Sequence, residues 1–300
     1  MKYAFLSTLI PDDLQKEVAK LSSNNMQDAA NALQWHIYNG LCKNLNEKVE
    51  LINILPIGSY PQYYKKAFIK ESIFKTSYSE NNLNVGFCNI KFLRKFIQPL
   101  KIYRALDKWC KKNKDNKFLF MYTVSSPFMK AAAKIKKKYP DIKICAVVAD
   151  LPDMSSLSSN KGLLQKMFEK KLSSDSYSRL DCIDAFVLLT KYMADYMKID
   201  KPFCVVEGIA SEIDNSTRNE NINGLKNILY TGTLHKKFGI LNLLEAFKQI
   251  SDKDYRLIIC GIGDSRDIIK KAAEEDPRII YKGQLPREEI LILQREAAVL

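Results

Sequence analysis

Histidine is scarce in this sequence, and its cysteines are not paired. The chain has two histidines, His36 and His235, and its seven cysteines include no Cys-x-x-Cys motif. Structural zinc sites are built from clusters of these residues, so no metal site is expected. An odd number of cysteines, several of them inside apolar runs, argues against a disulfide framework and for a reducing compartment.

Long apolar runs are also lacking. No stretch reaches the roughly 18–20 apolar residues of a membrane span, and the N-terminal segment MKYAFLSTLIPDDL has no cleavage site of a secretory signal. We therefore expect a cytoplasmic protein, either free or peripheral on the inner face of the plasma membrane. The 11 Gly and 10 Pro indicate neither a repeat nor a disordered tract, and 46% apolar residues can fill an enzyme-sized core.

Negative charge is sparse in the first half of the chain. Residues 1–150 hold 25 Lys and Arg against 12 Asp and Glu, a net charge of +13, whereas residues 151–300 hold 22 of each. Such a concentrated field indicates a polyanionic partner: nucleic acid, an anionic membrane or a phosphorylated substrate. No helix-turn-helix, zinc-finger or RNA-binding signature is present, so a nucleic acid is not the expected partner.

Nine apolar, strand-like runs recur along the chain. They span residues 3–8, 48–55, 117–124, 143–150, 184–190, 203–209, 227–233, 256–263 and 278–284. Between them lie helical patterns, such as 127–139 and 241–250, in which apolar residues recur at three- and four-residue steps. Continuous apolar strands that alternate with helices predict an α/β protein with parallel sheets covered on both faces.

A polar segment divides the chain. SEIDNSTRNENING (211–224) ends in Asn-Gly and separates two strand-like runs, so we interpret 211–226 as a linker between domains 1–210 and 227–300. The second domain has three strands, then a helix and what looks like the start of a fourth strand. A sheet that stops there would be short and open, so we expect the natural chain to continue past Leu300.

Two glycine turns are candidate ligand sites. In ILYTGTLHKKFGIL (228–241), the turn at Gly232 and Thr233 precedes a helix, where backbone N–H groups can bind phosphate, and Lys236 or Lys237 could neutralise a departing diphosphate. The alternative is a solvated lysine pair in a surface loop. Gly261 and Gly263 would let a ligand approach the backbone, or would simply form a tight strand-to-helix turn.

A nicotinamide dinucleotide site is disfavoured at the second of these turns. The Rossmann fingerprint needs a third glycine where Arg266 stands in CGIGDSRD. An oxidoreductase is therefore not the favoured interpretation.

The second half of the chain contains an ordered series of motifs. YTGTLHKKFGI, LLEAF, RLIICGIG and YKGQLPREEI follow one another between residues 230 and 290. This series resembles the donor domain of retaining GT-B glycosyltransferases of family four. DAFVLLTKYMADYM (184–197) and VVEGIA (205–210) look like the run before that family's interdomain linker, and AVVADLPDM (146–154) looks like its acceptor-side loop. The resemblance covers about half of the chain well and residues 1–115 weakly.

The resemblance implies two Rossmann-like domains and transfer of a sugar, with retention and without a metal or other cofactor, from a UDP- or GDP-linked donor. It implies that Gly232, Thr233, Lys236, Lys237, Gly261, Gly263, Lys282 and Leu285 bind the donor and that Lys237 assists catalysis. The family usually has Arg directly after the first glycine and Lys directly before the second. Here Thr233 and Phe238 fill those places.

On the acceptor side, the resemblance points to Asp150 as a catalytic residue. Ser125, Ser126 and Asp153 are further acceptor-side candidates. Asp150 follows an apolar strand and could hydrogen-bond sugar hydroxyls, or could simply cap the turn before Pro152. The family's pair of glutamates, separated by seven residues in a later helix, is not supplied at the corresponding place within 227–300.

Residues 91–117 combine basic and apolar side chains. In the helical pattern KFLRKFIQPLKIYRALDKWC, Leu93, Phe96, Ile97, Leu100, Tyr103 and Leu106 fall on one face, and Pro99 is expected to kink or split the helix. With Trp109 and the flanking lysines, this face suits an anionic membrane surface. The alternative is a core-facing helix with a solvated lysine face.

Together these observations favour a hexosyltransferase-type glycosyltransferase. Its partners would be a nucleotide-sugar and a glycan or lipid-linked acceptor, and its role would lie in surface polysaccharide biosynthesis. The rival hypothesis is a non-catalytic nucleotide-sugar-binding or scaffold protein. A nucleic-acid-binding protein is a weaker alternative.

Overall fold

The computed structural model describes residues 1–23, 28–151, 174–209 and 225–300. The chain divides into two compact units, Met1–Ser211 and Glu212–Leu300. The predicted linker lies almost entirely outside the described residues.

The first unit is built on an eight-stranded sheet with the order β10-β9-β8-β7-β1-β2-β5-β4. All neighbouring strands are parallel except β4 and β5, and β3 and β6 form a separate antiparallel pair. The strands are β1 (Lys2–Ser7), β2 (Val49–Asn53), β3 (Phe68–Ile69), β4 (Ser72–Phe74), β5 (Asn82–Asn84), β6 (Phe87–Cys88), β7 (Lys117–Tyr122), β8 (Lys143–Val148), β9 (Ala185–Leu188) and β10 (Phe203–Val205).

Helices cover this sheet and bury its apolar side chains. They are α1 (Asp12–Leu21), α2 (Asp28–Leu45), α3 (Lys91–Lys112), α4 (Ser126–Lys138) and α5 (Tyr192–Met197). One core cluster contains side chains of α3 and α4, such as Trp109 and Met129, and a second contains Tyr38 of α2 packed with Phe5 and Leu51. The nearly continuous burial of β1 and β8 follows from this coverage of both faces.

The strand order of the first sheet reverses between β1 and β7. From β1 the chain builds outwards through β2 and β5, and later strands continue on the other side through β7, β8 and β9. Ligands of open α/β sheets bind outside the carboxyl ends of the strands at such a switch point. Those ends are Ser7 of β1 and Tyr122 of β7.

The second unit has a parallel sheet with the order β11-β12-β13. Its elements are β11 (Lys226–Thr231), α6 (Ile240–Lys248), β12 (Tyr255–Cys260), α7 (Arg266–Glu275), β13 (Ile279–Gly283) and α8 (Arg287–Glu296). After α8 the chain returns to the free edge of β11, where Val299 pairs with Ile228 in parallel. The strand order therefore reverses at β11, which makes its carboxyl end the switch point of this unit.

The predicted α/β class is confirmed, and each of the nine predicted runs overlaps one strand. The prediction missed β3 to β6, which are two or three residues long. The predicted membrane-facing surface of α3 is partly wrong. Pro99 lies within one continuous helix, and Trp109 is only 5% exposed, so it cannot meet a membrane. None of the helices in the described ranges is both long and apolar enough to cross a membrane.

Candidate functional site

Three turns meet at the carboxyl edge of the second sheet. They follow β11, β12 and β13 at Gly232, Gly261 and Gly283. Backbone hydrogen bonds join them in sequence: Gly232 N–H donates to Cys260 O over 3.0 Å, and Gly261 N–H donates to Gly283 O over 2.7 Å. The switch point of this unit is therefore a connected backbone surface.

The glycines at 261 and 263 let two of these turns interlock. A Cβ on Gly261, whose φ is +140°, would lie 1.8 Å from Gly232 O, and one on Gly263 would lie 2.2 Å from Leu234 O. The space that a side chain would need is therefore filled by the neighbouring backbone. Packing within the chain therefore explains why glycine is required at both positions, without reference to a ligand.

Two tyrosine hydroxyls fasten the same turns, and sequence reasoning missed both. Tyr230 donates to Thr233 O over 3.2 Å, and Tyr281 donates to Gly261 O over 3.0 Å. Tyr230 lies on β11 and Tyr281 on β13, each two residues before the glycine of that strand's turn. The signal available in the sequence was a tyrosine near the end of an apolar run, which alone does not indicate a hydrogen bond.

His235 and Asp264 form a pair across the two turns. His235 Nδ1 lies 2.8 Å from Asp264 Oδ2, and Asp264 Oδ1 accepts from Ser265 Oγ and from Lys236 N–H. Hydrogen bonding from His235, with smaller contributions from Ser265 and Lys236, holds the pKa of the Asp264 carboxyl below its usual value. Within the described ranges, no three His, Cys, Asp or Glu side chains assemble into a metal site.

The predicted phosphate ligands lie just beyond this pair. Lys236 and Lys237 are exposed in a 3-10 turn, Lys236–Phe238, and the Lys237 ammonium lies 4.9 Å from the centre of the Phe238 ring. The turn leads into α6, whose first turn carries no acidic residue and whose N-cap, Gly239, has φ +80°. The Gly232 N–H already donates to Cys260 O at the sheet edge. The ammonium groups of Lys236 and Lys237 and the N–H groups at the start of α6 are therefore the groups that could bind an anion.

The remaining donor-side candidates lie around the end of β13. Lys282 is exposed. Burial raises the pKa of Cys260, and the charge of Lys282 opposes part of this rise. Leu285 packs against Leu229 and Ile258, so it contributes to the core on that face. Gly283 has φ +71°, and a Cβ there would contact nothing within 4 Å. This glycine is needed for its backbone conformation, and the space beside it is open.

In the first unit, the carboxyl ends of β7 and β8 hold Tyr122, Thr123 and Asp150. Thr123 has φ +70°, a left-handed conformation that is unusual for a β-branched residue, and its N–H donates to Val147 O over 2.7 Å. Burial, assisted by the charge of Asp150, raises the pKa of Tyr122 to about 12. Asp150 itself is exposed at this edge. Backbone strain of this kind is concentrated at functional sites.

The two serines after β7 have different environments. Ser125 occupies the N-cap position of α4 and is half-buried. Ser126 is 7% exposed, and its hydroxyl donates to Asp175 over 2.8 Å. Asp175 also pairs with Lys130 and Arg179, so Ser126 belongs to a structural network. Asp153, the other acceptor-side candidate, lies outside the described residues.

Buried amide side chains hold the loop after β1, and sequence reasoning missed them. Asn53 accepts from Leu9 N–H over 2.8 Å and donates to Leu9 O over 2.9 Å. Gln34 of α2 binds both the N–H and the carbonyl of Thr8. These contacts make the loop at the switch point of the first unit a fixed platform. No sequence signal marks them, because the amides come from positions 26 and 44 residues away.

Sequence comparison finds a family match within the second unit. Residues 212–300 match the family model described as Glycosyl transferases group 1. The matched segment contains the interlocked turns, Lys236 and Lys237. No curated protein shows significant sequence similarity to the chain.

Solved structures share the fold of the chain. The lipopolysaccharide outer core galactosyltransferase WaaB in its apo form is 14% identical, with a TM-score of 0.59 over 99% of this chain and 72% of that one. The N-terminal domain of Candida albicans trehalose-6-phosphate phosphatase is 11% identical, with a TM-score of 0.61 over 99% and 77%. The pneumococcal O-GlcNAc transferase GtfA, in complex with UDP and GlcNAc, is 9% identical, with a TM-score of 0.50 over 96% and 77%.

The fold is therefore that of GT-B glycosyltransferases, with one large parallel-dominated sheet and a smaller second unit. More particularly, the smaller unit is the part of the chain that matches the model of group 1 glycosyl transferases. Because the structural neighbours are less than 25% identical, they establish the fold and leave the activity to be argued from the site.

Proposed function

We propose that the protein transfers a hexosyl group, with retention, from a UDP- or GDP-linked sugar to a glycan or lipid-linked acceptor in surface polysaccharide biosynthesis. The observation that carries this proposal is the group 1 match over 212–300. Support comes from the placement of the matched glycine turns and lysines at the switch point of a parallel sheet. Support for UDP comes from the bound UDP of the pneumococcal transferase.

In this proposal, Lys236 and Lys237 bind the diphosphate of the donor. As the bond from C1 of the sugar to the diphosphate oxygen breaks, negative charge grows on the leaving group. Ammonium groups beside it stabilise that charge more in the transition state than in the ground state, which is what accelerates a reaction. The start of α6 adds N–H groups of the same polarity.

The first unit would bind the acceptor at the carboxyl edge of β1, β7 and β8. Asp150 would accept a hydrogen bond from a sugar hydroxyl, and Ser125 would lie beside it. The rigid loop at Thr8 and Leu9 would form one wall of this site. These assignments rest on the strand order and on the exposed position of Asp150.

A non-catalytic nucleotide-sugar-binding protein is the second candidate. The N-terminal domain of trehalose-6-phosphate phosphatase among the neighbours favours it, because this fold therefore occurs in proteins whose names denote other activities.

Calorimetric titration with UDP and GDP tests the donor site. The double variant Lys236→Glu/Lys237→Glu should bind the preferred nucleotide at least ~10-fold more weakly, because hydrogen bonds to charged groups contribute about 1.5–3 kcal/mol. Lys270→Glu/Lys271→Glu is the matched control, since it reverses an adjacent, exposed lysine pair on α7 with the same change in net charge. Equal affinity of the test variant and the control would rule out the phosphate assignment.

Turnover separates the two candidates. The wild-type protein is incubated with radiolabelled UDP- and GDP-sugars and a membrane extract, and both released nucleotide and labelled acceptor are measured. If the wild-type protein transfers the labelled sugar and the Asp150→Asn variant does so at least ~100-fold more slowly, the result supports the transferase hypothesis. Nucleotide binding without release by the wild-type protein supports the binding protein.

A further inference from the structure

The first half of α3 has its polar and apolar residues on unexpected sides. Arg94 and Gln98, one turn apart, point inwards, and Gln98 is 6% exposed. Phe92, Phe96 and Leu100 follow one another at four-residue steps and are 70%, 74% and 44% exposed. A buried polar residue and an exposed large apolar one are each informative, because folding alone favours the reverse.

Arg94 is held in place by neutral groups. Its guanidinium donates to Ile57 O over 2.6 Å and to Asn89 Oδ1 over 3.2 Å, and it lies 5.1 Å from the Phe87 ring centre. Burial lowers the pKa of Arg94 to about 10, so it remains charged at neutral pH. These contacts fix the rotation of α3 about its axis and thereby keep Phe92 and Phe96 directed outwards.

Asn89 joins neighbouring segments to the start of α3. Its side-chain N–H group donates to Gly58 O over 2.8 Å, and its backbone N–H donates to Ala67 O over 2.7 Å. Tyr60 pairs with Ile90, and Phe68 pairs with Cys88. Two more exposed aromatic side chains, Tyr60 at 38% and Phe68 at 69%, therefore surround the N-terminal end of α3.

We define the aromatic patch as Tyr60, Phe68, Phe92, Phe96 and Leu100. Its surroundings are strongly basic: residues 57–104 contain nine Lys and Arg against two Asp and Glu, a net charge of +7. Within α3, the Lys95 ammonium lies 5.7 Å from the Phe92 ring centre, so positive charge and aromatic surface are interleaved.

We propose that the aromatic patch docks on an anionic lipid bilayer. Aromatic rings suit the headgroup region, where one side is apolar and the other wet, and lysines beside them are attracted to anionic lipids. A second copy of the chain would bring two patches of net positive charge together, which repulsion disfavours. The membrane surface assigned here differs from the sequence-based expectation, since it uses the first half of α3 and the neighbouring loops and excludes Trp109.

Sedimentation with vesicles tests the proposal. The wild-type protein should bind vesicles containing 30% phosphatidylglycerol in phosphatidylcholine, should bind pure phosphatidylcholine at least ~10-fold more weakly, and should lose affinity as salt rises. Phe92→Gln/Phe96→Gln should weaken binding to the anionic vesicles at least ~10-fold. Lys91→Glu/Lys95→Glu should do the same by removing the attraction between charges.

The control is Tyr192→Gln/Tyr196→Gln. It removes two exposed aromatic rings at the same four-residue spacing on α5, where Tyr192 is 70% and Tyr196 49% exposed. This control should bind like the wild-type protein, and all variants should retain the wild-type unfolding temperature. Phe92, Phe96 and Lys91 are exposed and Lys95 is half-buried, so the unfolding temperature of each variant shows whether a loss of binding reflects a loss of folding.

Three outcomes would overturn the proposal. They are a wild-type protein that does not bind anionic vesicles, equal binding by Phe92→Gln/Phe96→Gln, and a dimer in light scattering that the same variant converts to a monomer. Vesicle binding is measured without a donor, and donor binding without vesicles. The outcome is therefore independent of the proposed transferase activity.

Discussion

The interlocked turns of the second unit make a quantitative prediction for Gly263→Ala. The added Cβ would lie 2.2, 2.4 and 2.8 Å from the carbonyl oxygen, carbonyl carbon and Cα of Leu234, all backbone atoms that cannot rotate away. Ordinary contact begins at 3.4 Å, so the turn after β11 must move by about 1 Å. That movement strains two hydrogen bonds of 2.9 Å, Leu234 N to Ile262 O and Ser265 N to Leu234 O.

The expected loss of unfolding free energy is about 2–6 kcal/mol. Overpacking contributes about 1–3 kcal/mol, and two weakened hydrogen bonds contribute about 0.5–1.5 kcal/mol each. The free energy of unfolding of a folded domain is only about 0.05–0.15 kcal/mol per residue, so this loss is a large fraction of the stability of the second unit.

Calorimetric and urea unfolding would measure the effect. Gly239→Ala is the matched control, because Gly239 has φ +80° but a Cβ there contacts nothing within 4 Å. It should lose about 1–2 kcal/mol from backbone strain alone. If Gly263→Ala loses no more unfolding free energy than this control, the turns do not interlock as described.

Two further predictions concern the first unit. Thr123→Gly should leave the unfolding free energy unchanged or raise it by up to about 1 kcal/mol, because relief of left-handed strain offsets the flexibility of glycine; a clear loss in urea unfolding would contradict the strained conformation. For Asp184, burial would raise the pKa, but hydrogen bonds from Lys136 and Ile144 N–H, with the nearby charges, lower it. A folded-state pKa below the unfolded value stabilises the protein above about pH 4, and this contribution is lost as pH falls through the folded pKa. Asp184→Asn should therefore unfold more easily than wild type at pH 7, and the difference should shrink below pH 4; a difference that stays constant down to pH 3 would refute the pairing.

Much of the sheet architecture could be predicted from sequence because parallel strands covered on both faces are almost wholly apolar. KICAVV at 143–148 and RLIIC at 256–260 are examples. The short strands between Phe68 and Cys88 escaped prediction for the opposite reason. In β5 the sequence is NLN, and its two asparagines are buried while Leu83 is half-buried. Hydrogen bonds such as the one from Asn53 Nδ2 to Asn84 Oδ1 satisfy these amides.

The positions of the glycine turns could be predicted from the sequence, but the contacts that support them could not. Glycine turns after apolar strands indicate the carboxyl edge of a sheet. Nothing in the sequence shows that the Gly263 turn meets Leu234, or that Gln34 holds Thr8, because these contacts join distant segments. For α3, periodicity identified an apolar face but could not say that Arg94 would occupy the inner side.

The central position of β1 has a consequence for folding during synthesis. One edge of β1 pairs with β2, whose residues follow within about fifty positions, but the other edge pairs with Lys117–Met121. Ribosomes add about 5–20 residues per second, so that second edge waits roughly 5–20 s for its partner. During that interval the apolar strand KYAFLS has an unpaired edge that another chain could join. A low concentration of nascent chains, or a chaperone that covers this segment, should therefore raise the yield of folded protein.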